Sequence, residues 1–171
     1  MILLQPTRLH WIKDAGDDPY DLCAHSPVDF RIGDEVLVRP EDGDWTVSAA
    51  ALRLLRTLER DHTPKASSCQ LFPCCGHAMY QQPGELEVLV LDCDIGADFE
   101  VLHAGGDVQI KDATGRCLAV TSDQWQRAVF GFADAVQEFY EASAPKQPCS
   151  PEDEQAYPLF WQEWKHRRNP D

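Results

Sequence analysis

Apolar residues recur along this chain in two rhythms, one of strands and one of helices. Alternation in Arg8-Leu9-His10-Trp11-Ile12 predicts a short first strand. Val28, Phe30 and Ile32 share a face ahead of Gly33-Asp34, and Val36 and Val38 follow, so a hairpin is expected within 21–39. Val47, Ala50, Ala51, Leu54, Leu55 and Leu58 then fall at helical spacing, from a cap at Thr46 or Ser48 to about Asp61. Arg53, Arg56 and Arg60 read as a solvated row on that helix.

Leu86 to Leu91 is almost continuously apolar, the mark of a strand covered on both faces. Phe99 to His103, Val108 to Ile110 and Cys117 to Val120 predict three more strands, separated by Gly105-Gly106 and Asp112-Ala113-Thr114-Gly115. Such short turns leave no room for crossovers, so the four strands should form an antiparallel meander. Thr121-Ser122-Asp123-Gln124 has capping-box form and opens a helix striped by Trp125, Val129, Phe132, Val136 and Tyr140. Ser150-Pro151-Glu152-Asp153 starts a last helix with Tyr157, Phe160, Trp161 and Trp164 on one stripe, which Pro158 should kink or divide.

The expected fold is therefore α+β, an antiparallel β-meander packed by about three helices in a single domain. Within it, 1–62 carries N-terminal strands and a helix, 69–120 the cysteine loop and meander, and 121–168 the C-terminal helices. A length of 171 residues with 43% hydrophobic content suits one core.

Charge narrows the choice of partner. Fifteen Lys and Arg against 29 Asp and Glu leave −14, a field that repels nucleic acid and favours a basic protein partner. Eight carboxylates and only Lys111 as a base lie between Glu85 and Asp112, which makes Glu87, Asp92, Asp94, Asp98 and Glu100 the expected contact residues. No run approaches a membrane span, and the first residues lack the charged head and apolar middle of a signal peptide, so a cytoplasmic location is expected. Seven irregularly spaced cysteines fit reduced thiols or a metal better than a disulfide framework.

Candidate chemistry gathers at two Cys-x-His pairs, Cys23-Ala24-His25 and Cys75-Gly76-His77. Residues two apart on a strand face the same way, so Cys23, His25, Cys75 and His77 could supply a tetrahedral set for zinc. Cys69, Cys74 and Cys93 are spare thiols nearby. The plainer expectation is no cofactor, with the cysteines packed as small buried hydrophobes. A thiol nucleophile or oxidant sensor at Cys74 or Cys75, activated by His25 or His77, is a third reading. Phosphate-loop, dinucleotide, serine-hydrolase, zinc-protease and deaminase patterns are all missing from the chain.

The stretches Asp21-Leu22-Cys23-Ala24-His25 and Pro73-Cys74-Cys75-Gly76-His77, with the long helix from Trp125 to Tyr140, resemble a group of small uncharacterised bacterial proteins. In size and acidity the chain is also similar in style to bacterial immunity proteins. That likeness implies a non-enzymatic, protein-binding module with an acidic surface. The alternative is a metal-containing or thiol-dependent enzyme centred on the two Cys-x-His pairs.

Overall fold

A computed structural model describes residues 1–12, 16–64, 70–76, 78–82, 84 and 87–169. Among the described residues, three helices and several small antiparallel sheets enclose one core, the α+β architecture expected from the pattern.

The first strand, β1 (Ile2–Pro6), lies upstream of the expected 8–12 segment, where only His10 bridges to His25. A strand is defined by its neighbour as much as by its own alternation. Here β3 (Val28–Ile32) pairs with β1 and opposes Leu4 to Phe30, both buried, while among the described residues 8–12 joins no ladder. Between them in sequence runs β2 (His25–Ser26). The hairpin to β4 (Glu35–Val38) forms as predicted, and Gly33 supplies its turn with a φ of 61°.

After a single 3₁₀ turn, β5 (Trp45–Thr46) pairs with β2 and leads straight into α1 (Val47–Arg56). Every residue from Val47 to Leu55 is buried, because α1 packs against the helices at Ser122–Glu141 and Pro151–Arg168 as well as β2, β5 and the strand at Phe72–Pro73. The expected row of solvated arginines is thereby overturned for two of its members. Arg53 and Arg56 point inward, where the carbonyls of Gln70, Val90 and Val88 and the carboxylates of Asp92 and Glu163 receive them.

The segment from 72 to 97 folds back on itself. Its outer pairing is β6 (Phe72–Pro73) with β9 (Gly96–Ala97), and its inner pairing is β7 (Ala78–Gln81) with β8 (Val88–Leu91). The strand expected to begin a four-stranded meander therefore pairs with β7 instead. Val88 and Val90 are buried but Leu91 is 40% exposed, so β8 is covered on one face only.

The meander itself has three strands, β10 (Glu100–Ala104), β11 (Asp107–Lys111) and β12 (Cys117–Thr121). Gly105 and Gly106, at φ 62° and 97°, make the two-residue turn between the first two. Thr121 and Gln124 close the capping box of α2 (Ser122–Glu141), whose buried stripe of Trp125, Val129, Phe132 and Val136 lies against β1 and α1.

The last helix, α3 (Pro151–Arg168), runs unbroken through Pro158, an exposed position. Continuity survives because the rest of its stripe is anchored. Phe160 and Trp164 are buried, and Tyr157 and Trp161 ring-pack with Phe160 or Tyr140. Among the described residues, no helix is long and apolar enough to cross a membrane.

Candidate functional site

The doubled-back segment places its thiols where the two pairings part. Cys74 and Cys75 occupy the gap between β6 and β7 on one leg, and Cys93 the gap between β8 and β9 on the other. The Cys74 amide donates to the Ile95 carbonyl at 3.0 Å, which carries the outer pairing one residue further. The Cys93 amide donates to Cys75 Sγ at 3.3 Å, and Cys74 Sγ lies 2.8 Å from Cys93 Sγ. All three sulfur atoms fall within 4.8 Å of one another, each half-buried.

Arg53 fixes the second leg from below. Its guanidinium donates to Gln70 O and Asp92 Oδ2 at 2.6 Å and to Val90 O at 2.8 Å, tying the entries to both legs to α1. Arg53 and Asp92 side chains are only 8% and 6% exposed. Gly96 closes the far side, since a Cβ there would stand 2.6 Å from the Phe72 carbonyl. Gly96→Ala is therefore expected to spread β6 from β9, at a cost of about 1–3 kcal/mol in urea denaturation. The same variant should label faster with a thiol reagent at Cys74 and Cys93.

The trio shares its protons unequally. The Cys93 thiol is lowered from its ordinary value by hydrogen bonds from Cys74 and then Cys75, aided by the Ile95 backbone. Cys74 is pushed up to about 12, first by its bond to Cys93 and then by burial. Burial, followed by the bond to Cys93, raises Cys75. Loss of the first proton thus leaves a thiolate on Cys93 with two thiols as donors. Such a set can hold a metal ion.

Cys23 and His25 stand apart from this cluster, beside a cavity that Cys75 also lines. Cys23 precedes β2, and its thiol donates to the Gly76 carbonyl. Burial, and then the Asp21 carboxylate, push it up to about 12. His25 Nδ1 lies 2.8 Å from the Cys23 carbonyl, so that nitrogen carries the proton, and Nε2 accepts from the Thr46 hydroxyl at 3.1 Å. Both ring nitrogens are thus engaged, and burial above all lowers the ring's pKa. His77 and Cys69 lie outside the described residues. Among the described residues no imidazole hydrogen-bonds to Cys74, Cys75 or Cys93, the contact that general-base activation of a thiol requires.

The carboxylates singled out for partner binding are mostly committed inside the chain. Glu87 receives Arg60 and Arg167, Asp92 receives Arg53, Asp98 receives His62, and Glu100 receives Lys111. Asp94 is exposed.

The sequence offers Cys93 only as a spare thiol, without its place beside Cys74 and Cys75, and it does not point to Arg53 as the support of the cluster. Arg53 did leave a signal. It sits within Val47 to Leu55, a run otherwise free of charge, and a helix apolar nearly all round is a buried one. Comparison with protein-family models, with curated proteins and with solved structures found nothing that matches this chain.

Proposed function

We propose that this protein binds zinc through the thiolates of Cys74, Cys75 and Cys93. The observation that carries the proposal is the convergence of three sulfur atoms within 4.8 Å on two legs of one folded-back segment. Zinc–thiolate bonds of about 2.3 Å place tetrahedral sulfurs about 3.8 Å apart, so the set closes on the ion with small side-chain movements. The ion would cross-link the two legs, and as a Lewis acid it could polarise a ligand at a remaining position. The proposal uses these three thiols alone.

Docking of a basic protein on the acidic sheet is the less favoured reading, since Glu87, Asp92, Asp98 and Glu100 already have partners within the chain. A partner would have to displace those partners before reaching them.

Metal analysis of protein prepared without a metal-binding tag should find one zinc per chain. Cys74→Ser, Cys75→Ser and Cys93→Ser should each weaken binding by at least about 100-fold in competition with a chromophoric chelator, because each removes a ligand outright rather than a supporting contact. Cys117→Ser, at an exposed position away from the cluster, should leave it unchanged. Substoichiometric zinc in the parent protein, or equal binding by the three variants, would sink the proposal.

A further inference from the structure

Beside the thiol cluster lies a cavity of about 290 Å³, close to the lower bound for small-molecule sites. Three distant parts of the chain build it. Ile12, Tyr20 and Asp21 come from the N-terminal segment, Cys75 and Met79 from the folded-back segment, and Asp153 from the first turn of α3. Its apolar lining exceeds its polar lining, yet its charged members are of one sign. Two carboxylates face it, and among the described residues no lysine or arginine does.

Both carboxylates are held in place by the chain. Asp21 accepts the Ile12 amide on Oδ2 at 2.7 Å and the Cys23 amide on Oδ1 at 3.1 Å. Asp153 Oδ2 accepts the Ser150 hydroxyl at 2.8 Å, within the cap of α3. Each carboxylate oxygen can accept more than one hydrogen bond, so both groups keep capacity for a donor in the cavity. The mouth adds a second, independent feature. Ile12 and Tyr20 are 62% and 57% exposed, an arrangement that leaves large apolar surface in water unless something covers it.

We infer that this cavity binds a small amphipathic cation, a primary amine carrying an apolar chain or ring. Its ammonium group sits between Asp21 and Asp153, and its apolar body rests on Met79, Ile12 and the Tyr20 ring. Two preorganised carboxylates supply charge-assisted hydrogen bonds that a neutral isostere cannot make and an anion would oppose. The site is separate from zinc binding, although Cys75 belongs to both walls.

The test uses the full chain and phenethylamine as probe, with 2-phenylethanol and 3-phenylpropionate as neutral and anionic counterparts, followed by amide NMR shifts and calorimetry. Phenethylamine should bind at millimolar concentration or below and shift the amides of Tyr20, Asp21 and Gly76. Asp153→Asn keeps an acceptor for Ser150 and should weaken binding about tenfold, the loss of one charge-assisted bond. Cys149→Trp, at an exposed position on the cavity wall, should block binding while the circular dichroism spectrum stays that of the parent.

The experiment is run on zinc-loaded and zinc-free protein. Phenethylamine binding in both, even where zinc analysis fails, supports the cavity site on its own terms. Equal binding of phenethylamine and 2-phenylethanol, no binding at millimolar probe, or full binding by Cys149→Trp would each overturn it.

Discussion

Exchanging Glu163 for glutamine should destabilise the protein by about 3–5 kcal/mol, the cost of removing one partner from a buried ion network. Glu163 is 1% exposed. Its Oε1 receives Arg56 and Arg167 at 2.8 Å, and its Oε2 receives Arg56 and the Val88 amide at 2.9 Å. Arg167, 7% exposed in its side chain, also reaches Glu59 and Glu87. A neutral amide in place of the carboxylate leaves two guanidinium groups short of charge in the interior. Urea denaturation of Glu163→Gln should show the loss as a lower midpoint with an unchanged slope. Replacing Arg56 and Glu163 together by methionine should cost less than the single change, because the remaining charges keep their own partners. A shift below about 1 kcal/mol for Glu163→Gln would contradict this account of the core.

The same carboxylate sets part of the acid limb. Burial would raise its pKa, but Arg56, the Val88 amide and Arg167 together outweigh that and hold it below the ordinary 4.5. A carboxyl depressed on folding contributes stability that is full above its unfolded value and is lost as pH falls through its folded value. Stability should therefore decline below pH 4.5 in the parent. Glu163→Gln, weaker throughout, should decline less steeply over that range.

Zinc affinity should rise steeply with pH. Every thiol must give up its proton to become a ligand. Cys74 and Cys75 hold theirs tightly, one pushed up to about 12 and the other raised, while Cys93 gives its proton up first. Two protons are released per ion above the Cys93 pKa and three below it. The apparent association constant should accordingly climb about 100- to 1,000-fold per pH unit on the acid side of neutrality. Competition titrations at three pH values, paired with proton release into a weak buffer, would measure it. A pH-independent constant would place the zinc on ligands other than these thiols.

How far the sequence discloses this molecule depends on the range of the interactions that decide each part. The helix at Ser122–Glu141 and the hairpin around Gly33 are set by capping and turn chemistry within a few residues, and both are legible. The position of β1 and the pairing of β8 with β7 are not, because strand partners lie elsewhere in the chain and alternation alone does not name them. For the same reason Cys74 and Cys75 are visible as a pair, but Cys93 joins them only through two nested antiparallel pairings. His25 sits in a Cys-x-His pattern and yet spends its nitrogens on a carbonyl and a hydroxyl, a fate decided by Thr46 across the β2–β5 pairing. Composition shows which side chains are available, and long-range pairing decides which of them meet.

The arginines of α1 also impose an order in time. Arg53 grips Val90 and Asp92, Arg56 grips Val88, and Val88 is held from its other side by Glu163 of α3. The strand that delivers Cys93 is thus braced by a helix that leaves the ribosome early and by one that leaves much later. A growing chain carries the α1 arginines first, then all three thiols, and only much later Glu163 of α3, so the second half of the brace is the last part to arrive. Metal capture would then mark the completion of folding rather than its beginning.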